Sequence, residues 1–547
     1  MLSKRYYPLV GVLFLPVVGI ILSYQKPLAG SLLAVIGIGL SAVGLYDLWQ
    51  NKKSVLKNYP LVGRIRYLFE HFRPEIRQYL IEGDCEQVPY SRDQRALVYR
   101  RSKGLESVVP FGTLCDTQRI GHEWINHSMA PTHLPSGDFR ATIGGSSCAQ
   151  PYTSSVLNIS GMSYGALSPP AIEALNRAAK TGGFAQNTGE GSISASHRKH
   201  GGDLIWQIGT GYFGCRSLAG QFDVGLFAEN ATGEQVKMIE IKLSQGAKPG
   251  HGGILPAGKV TREISATRNV AMGSPCISPS RHSAFDTPIE LLEFVQLLRE
   301  RSAGKPVGIK LCIGHPWEWF SIAKAVLDTG IAPDFVAVDG AEGGTGAAPV
   351  EFSDHIGAPL REGLMLVHNT LVGIGIRDKV KIIASGKIVS AFDMARALAL
   401  GADICHMARP FMFSLGCIQA RSCHTDRCPT GVATQDPGRY DALSVPEKYK
   451  RAANFHANTL GALKETIEAC GLDHPEGLSP HHLMIRVSSQ EVRSAASQYH
   501  WLEAEALTQE TAVDHPTFVK YWPNSNGRTF ALGAASSKVA ARLKAVG

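Results

Sequence analysis

Several common functional signatures are missing from these 547 residues. No basic stripe interleaved with aromatics runs along the chain, and the net charge of +8 is modest at this length, which argues against nucleic-acid binding. No strand-like run is followed by a G-x-G-x-x-G turn that opens a helix, the usual dinucleotide fingerprint. No C-x2-C or C-x3-C pair occurs, and no run offers two cysteine pairs, so the usual four-ligand zinc pattern is absent. The eleven cysteines show no paired spacing. An odd count without pairing fits a reducing compartment better than a secreted disulfide framework. Charge is absent from Pro8 to Tyr24 and again from Leu28 to Tyr46.

Those two uncharged runs are each about the length that spans a bilayer. Gln25-Lys26-Pro27 separates them, and Asp47 ends the second. Residues 1–50 therefore read as a two-helix membrane anchor. Lys4 and Arg5 precede it, Lys52, Lys53, Lys57, Arg64 and Arg66 follow, and only Lys26 lies between. The positive-inside rule then places both ends, and the body of the chain, on the cytoplasmic side of the inner membrane. The alternative is a signal peptide made from the first run alone; no A-x-A-like cleavage site supports it.

Residues 51–150 read as a mixed extension packing on the main domain, with an amphipathic piece over 67–75. From residue 151 to 440 a pattern repeats: short apolar runs end in glycine-rich turns, and several are followed by helical stretches. The strands are expected at 156–160, 184–188, 204–208, 238–243, 307–311, 335–339, 381–385 and 403–407. Helices are expected at 170–181, 288–301, 318–329 and 390–400. Eight such units predict an α/β (β/α)8 TIM barrel; the alternative is an open doubly wound sheet. Glu240, Lys242 and Lys310 alternate with apolar neighbours, so they are expected to point into the barrel. Buried there, a charge is costly unless it meets a partner or an anionic ligand. Residues 441–547 read as a mainly helical cover, with a surface helix over 538–546.

Cys417, Cys423 and Cys428 form a C-x5-C-x4-C run closing on Pro429. Thiolates packed this closely suit an iron–sulfur cluster; the alternative is three unrelated buried thiols.

Gln245-Gly246-Ala247-Lys248-Pro249-Gly250, Glu342-Gly343-Gly344-Thr345-Gly346-Ala347 and Cys428-Pro429-Thr430-Gly431-Val432-Ala433-Thr434-Gln435-Asp436 occur in this order. Together with Gly161-Met162-Ser163-Tyr164-Gly165 they resemble the FMN-binding domain of the glutamate synthase large chain, over about residues 150–440. The resemblance implies an FMN barrel with a 3Fe–4S cluster on Cys417, Cys423 and Cys428. It implies that Met162 and Ser163 line the flavin ring, that Gly343, Gly344 and Thr345 approach it, and that Lys310 lies at its N1/C2 edge, where a cation favours the reduced ring. Ser385, Gly386, Ala408 and Arg409, after strands seven and eight, fit the usual phosphate position of such barrels. The implied substrate is 2-oxoglutarate, with glutamate as product. Gln245, Lys248 and Arg268 are its candidate ligands. Glu190 is expected to orient Lys248 or handle protons. His251 stands where the family leads one to expect an acid.

The chain opens Met1-Leu2, and its first cysteine is Cys85. The N-terminal cysteine nucleophile of a glutaminase domain is therefore not expected. Nitrogen should arrive as ammonia from solution or a partner, or as an amine. Electrons should come from ferredoxin or a separate reductase. Related amine chemistry of the N-methylglutamate synthase or quinone-linked type, or a non-catalytic electron-transfer role, are the other readings.

Overall fold

Alternation of inward and outward side chains closes eight short strands into a parallel barrel in the computed structural model, which describes residues 4–50, 53–83, 86, 89–509 and 513–533. The strands are β1 (Leu157–Ile159), β2 (Gln186–Asn187), β3 (Leu204–Ile208), β4 (Val236–Lys242), β5 (Val307–Leu311), β6 (Phe335–Asp339), β7 (Lys381–Ser385) and β8 (Ile404–Met407). Each pairs with the next, and β8 pairs with β1. All eight expected strands are present. β1 starts later than expected because the Val156 N–H donates to the Phe139 carbonyl outside the barrel. The open-sheet alternative is excluded by closure. Gly209-Thr210-Gly211-Tyr212-Phe213-Gly214 does follow β3 with dinucleotide-type spacing, but the next helix begins only at Val224.

The barrel helices start and stop where local chemistry dictates. These are α3 (Pro169–Gly182), α4 (Val224–Ala231), α5 (Pro288–Arg301), α6 (Pro316–Thr329), α7 (Leu360–Gly373) and α8 (Ala391–Ala399). Thr287 and Glu290 form a reciprocal capping box on α5, and Ser390 and Asp393 do so on α8, satisfying first-turn N–H groups that no helical carbonyl reaches. Gly183 and Gly330 close α3 and α6 in the left-handed conformation. After β8 come α9 (Arg409–Leu415) and the long α10 (Val445–Ala469). Beyond its helices, the flanking sequence supplies a three-stranded antiparallel sheet of Glu123–Ile125, Leu483–Arg486 and Val492–Ser494. The helix expected over 538–546 lies outside the described residues.

Contacts divide the chain into Met1–Asp93 and Gln94–Gly547. In the first unit, α1 (Tyr7–Ser23) and α2 (Pro27–Trp49) pair as a hairpin. Small residues let the two backbones close: a Cβ at Gly19 would crowd Ala34, and one at Gly37 would crowd Pro16. Large apolar side chains such as Phe14, Ile21, Leu32 and Val35 are exposed. Both helices are long and apolar enough to cross a membrane, at mean hydropathy 2.0 and 2.1. Asp47, fully buried, binds Arg64 at 2.6 Å and accepts the Leu61 N–H. A following helix, Val62–Ile76, exposes Ile65, Leu68, Phe69 and Phe72.

Candidate active site

Strand register sorts the barrel interior into two halves. Toward the N-terminal ends of the strands, Ile205, Met238, Phe335, Ala337, Ile383 and Ile404 form one apolar cluster with Ile143 and Tyr152. Gly308 on β5 makes room for Phe335, because a Cβ there would overlap that ring. Toward the C-terminal ends the same inward face turns polar. Gln207 sits beside Glu240, Lys242 beside Lys310, and Asp339, Ser385, His406 and Asn158 run side by side. The alternation expected for Glu240, Lys242 and Lys310 is thus the observed one.

These buried charges are compensated. Glu240 accepts from Asn187 Nδ2 at 2.8 Å and Gln207 Nε2 at 2.6 Å, and its second oxygen has no hydrogen-bond partner. Lys310 Nζ lies 3.5 Å from Asp339 Oδ2. Burial opposes the charge on Lys310, but Asp339 and Glu240 outweigh it and hold its pKa above the ordinary value. His406 is buried with Nε2 unpartnered, and burial, helped by Lys310, pushes its pKa down to about 3.

The segment after β4 brings further cations to this polar face. Lys242 Nζ meets Glu190 Oε2 at 3.1 Å and donates to Gln245 Oε1 at 2.9 Å. The next residue, Gly246, donates its N–H to Asp339 Oδ2 at 2.9 Å. It passes so close to Gly340 that a Cβ would overlap the Gly340 carbonyl oxygen. Lys248 is buried, which lowers its pKa against the opposing pull of Glu190. Arg268 is only 4% exposed. Its Nη2 donates to the Tyr164 carbonyl at 2.6 Å, its Cζ lies 5.1 Å from the Phe213 ring centre, and Nε has no partner. Burial alone would raise the Glu190 pKa. Lys242, Arg268 and Lys248 together hold it below the ordinary value. Glu190, expected to orient Lys248 or handle protons, makes its ion pair with Lys242, the inward residue that ends β4, and also feels the charge of Lys248. Three cations around one carboxylate leave an excess of positive charge suited to an anion of more than one negative charge. His251 packs edge-on against Phe352 at 5.4 Å.

The remaining loops meet on the other side of the mouth. Arg409 Nη2 donates to the Thr345 carbonyl at 2.6 Å, and a Cβ on Gly344 would lie 3.5 Å from Arg409 Nε. A Cβ on Gly343 would lie 3.8 Å from the Gly386 Cα. Ser385 Oγ is 3.2 Å from Ser160 Oγ, and Ala408 leads into α9. Met162 is buried, and the Ser163 backbone packs against Gly189. The structure therefore brings Gly343, Gly344, Thr345, Ser385, Gly386, Ala408 and Arg409 together, with Met162 and Ser163 after β1.

Cys417, Cys423 and Cys428 line one small pocket with Met412, Thr430 and Ala433. Among the described residues no three His, Cys, Asp or Glu side chains converge as they would on a single metal ion. The three thiols nevertheless share this one pocket, and thiols are the donor type that iron–sulfur clusters use. Burial pushes the Cys417 thiol up to about 11. Burial also opposes ionisation of Cys428, but hydrogen bonds from Thr430 and from the backbone N–H groups of Ala433, Thr430 and Val432 prevail and lower its pKa. Donors of this kind stabilise a ligating thiolate.

Sequence reasoning assigned no role to Asp339, Asn187, Gln207 or Lys259. Asp339 carried a usable signal, a carboxylate at the C-terminal end of a barrel strand. Lys259 carried none, since its partners are distant in sequence.

Residues 140–473 match the family model described as the conserved region in glutamate synthase. A glutamate synthase large subunit-like protein of Bacillus subtilis (strain 168), YerD, is 37% identical over 477 residues, covering 80% of this chain and 90% of its own length. The archaeal glutamate synthase [NADPH] of Methanocaldococcus jannaschii is 37% identical over 321 residues, 58% of this chain and 60% of that protein. Among solved structures, a mandelate oxidase aligns over 68% of this chain and 88% of its own at 14% identity, with a TM-score of 0.41. The ordered motifs, the closed barrel, the family model and the YerD relative make the chain a member of the glutamate synthase family, an oxidoreductase.

Proposed function

We propose that this protein uses FMN and a 3Fe–4S cluster to convert 2-oxoglutarate and ammonia reductively into glutamate, with electrons from ferredoxin or a separate reductase. The observation that carries the reading is the excess of positive charge formed by Lys242, Lys248 and Arg268 around Glu190, beside the polar mouth that holds Lys310. FMN, when bound, supplies hydride chemistry to the carbon that becomes the α-carbon of glutamate. Lys310, kept charged by Asp339, supplies a fixed cation for an electron-rich cofactor edge. Met162 and Ser163 face that cofactor, and Gly343, Gly344, Thr345, Ser385, Gly386, Ala408 and Arg409 hold its phosphate end. Arg268, a planar fork with one unsatisfied N–H, binds a carboxylate of the substrate, and Lys248 and Gln245 orient the rest. Glu190, ionised beside Lys242, fixes the surrounding cations about the substrate. Cys417, Cys423 and Cys428 hold the cluster that passes single electrons inward.

The N-terminal hairpin anchors the protein in the cytoplasmic membrane, with the barrel on the cytoplasmic side. The exposed apolar side chains of α1 and α2 and the basic flanks support this. The hairpin also favours a second reading, in which an amine is oxidised and electrons pass to membrane quinone.

Protein with confirmed flavin and iron, given dithionite or reduced ferredoxin, 2-oxoglutarate and ammonium, should form glutamate. Absence of glutamate from such a preparation sinks the first reading. Flavin reoxidation by quinone without any need for 2-oxoglutarate supports the second.

A further inference from the structure

One buried cation lies outside the mouth just described. Lys259 is 3% exposed and sits in the segment after β4, between Gln245 and Arg268. Its Nζ donates to the Cys423 carbonyl at 2.9 Å and to the Ala433 carbonyl at 3.4 Å, and lies 3.7 Å from Asp426 Oδ1. Asp426 falls between Cys423 and Cys428. It holds the turn shut by accepting from Thr434 Oγ1 at 3.1 Å and the Gln435 N–H at 2.7 Å. Nine residues beyond Lys259 comes Arg268, bonded to the Tyr164 carbonyl. The adjoining loop is tied back to the cysteine segment by Gln435 Nε2, which donates to the Gly165 and Leu167 carbonyls at 3.1 and 2.8 Å. Lys259 is thus held against the cysteine loop by two carbonyls and a carboxylate.

We propose that Lys259 sets the reduction potential of the centre held by Cys417, Cys423 and Cys428, with Asp426 as its opposing charge. The inference rests on the cluster reading above. Reduction adds one negative charge to the centre. A cation held in a poorly solvated site favours that charge, and an anion disfavours it. Carbonyl groups alone would place their negative ends near Nζ, so the lysine also compensates the loop's backbone dipoles.

The test is an EPR-monitored redox titration of the detergent-purified holoprotein, with iron content measured first. Lys259→Met should lower the midpoint potential. Lys259→Arg, which keeps the charge, should stay close to wild type. Asp426→Asn, which keeps an acceptor for Thr434 and Gln435, should move the potential upward. Opposite signs for Lys259→Met and Asp426→Asn are not expected from a merely structural role. An unchanged midpoint in iron-replete Lys259→Met overturns the proposal. Should that variant lose its iron, Asp426→Asn decides: no upward shift overturns it. Wild-type protein without iron or an EPR signal defeats instead the cluster reading on which the inference stands.

Discussion

Arg268 is the residue whose role depends most on its surroundings. In sequence it is one arginine among many, ending a seven-residue helix. In the fold it is buried with the Phe213 ring nearby and an unsatisfied Nε. An unpaired buried donor is costly, so a carboxylate that satisfies it gains more than it would at the surface. Arg268→Lys keeps the charge but loses the planar fork. The expected outcome is a dicarboxylate affinity weaker by more than about tenfold, read by calorimetry on flavin-loaded protein, corresponding to about 1.4 kcal/mol or more. An unchanged affinity would remove Arg268 from the substrate site. Lys310, by contrast, was legible beforehand, because strand alternation leaves an inward residue only one direction in which to point.

At the scale of elements, the connection after β4 does most to assemble the mouth. It starts at Gly246, pressed against Gly340 and bonded to Asp339, and runs through Lys248, Lys259 and Arg268 before α5 begins. Backbone meets backbone at Gly246, so no side-chain rotation can relieve a larger residue. Gly246→Ala should destabilise this connection by about 1–3 kcal/mol and reduce flavin retention. Thermal melts and the flavin-to-protein ratio of the purified variant check both. A variant with wild-type melting and full flavin would show that the close approach is dispensable. The capping boxes predict a smaller effect: Thr287→Ala should cost about 1 kcal/mol, without touching flavin content.

The whole molecule carries a pH liability. His282, His368 and His456 are buried neutral, each with its pKa pushed by burial to about 4 from an ordinary 6.5, and His197 is pushed to about 3. His456 illustrates the cause: it stacks on Phe184 at 4.0 Å and sits 3.1 Å from the Leu157 carbonyl. The unfolded chain takes up protons on these rings below pH 6.5, whereas the folded protein does not until about pH 4. Stability from this source is therefore complete above pH 6.5 and is lost as pH falls toward 4, at up to about 1.4 kcal/mol per pH unit for each ring. Melting temperatures measured from pH 7.5 down to 4.5 should drop steeply below 6.5, and a flat profile would contradict the buried-neutral assignment. The hairpin predicts a second molecular property: alkaline carbonate should leave the chain in the membrane pellet, and release into the supernatant would rule out spanning helices.

Local pattern alone determined the barrel, the hairpin and the inward direction of Lys310, Lys242 and Glu240. Each follows from short-range periodicity and from turn residues adjacent in the chain. The three cysteines were legible for the same reason, lying within twelve residues of one another. Only the tertiary structure decided that Glu190 pairs with Lys242, that Asp339 serves both Lys310 and Gly246, and that Lys259 reaches Cys423. Those contacts join residues from different barrel strands and the loops that follow them. No local preference encodes them, because closure of the sheet, rather than sequence spacing, sets which loops stand side by side.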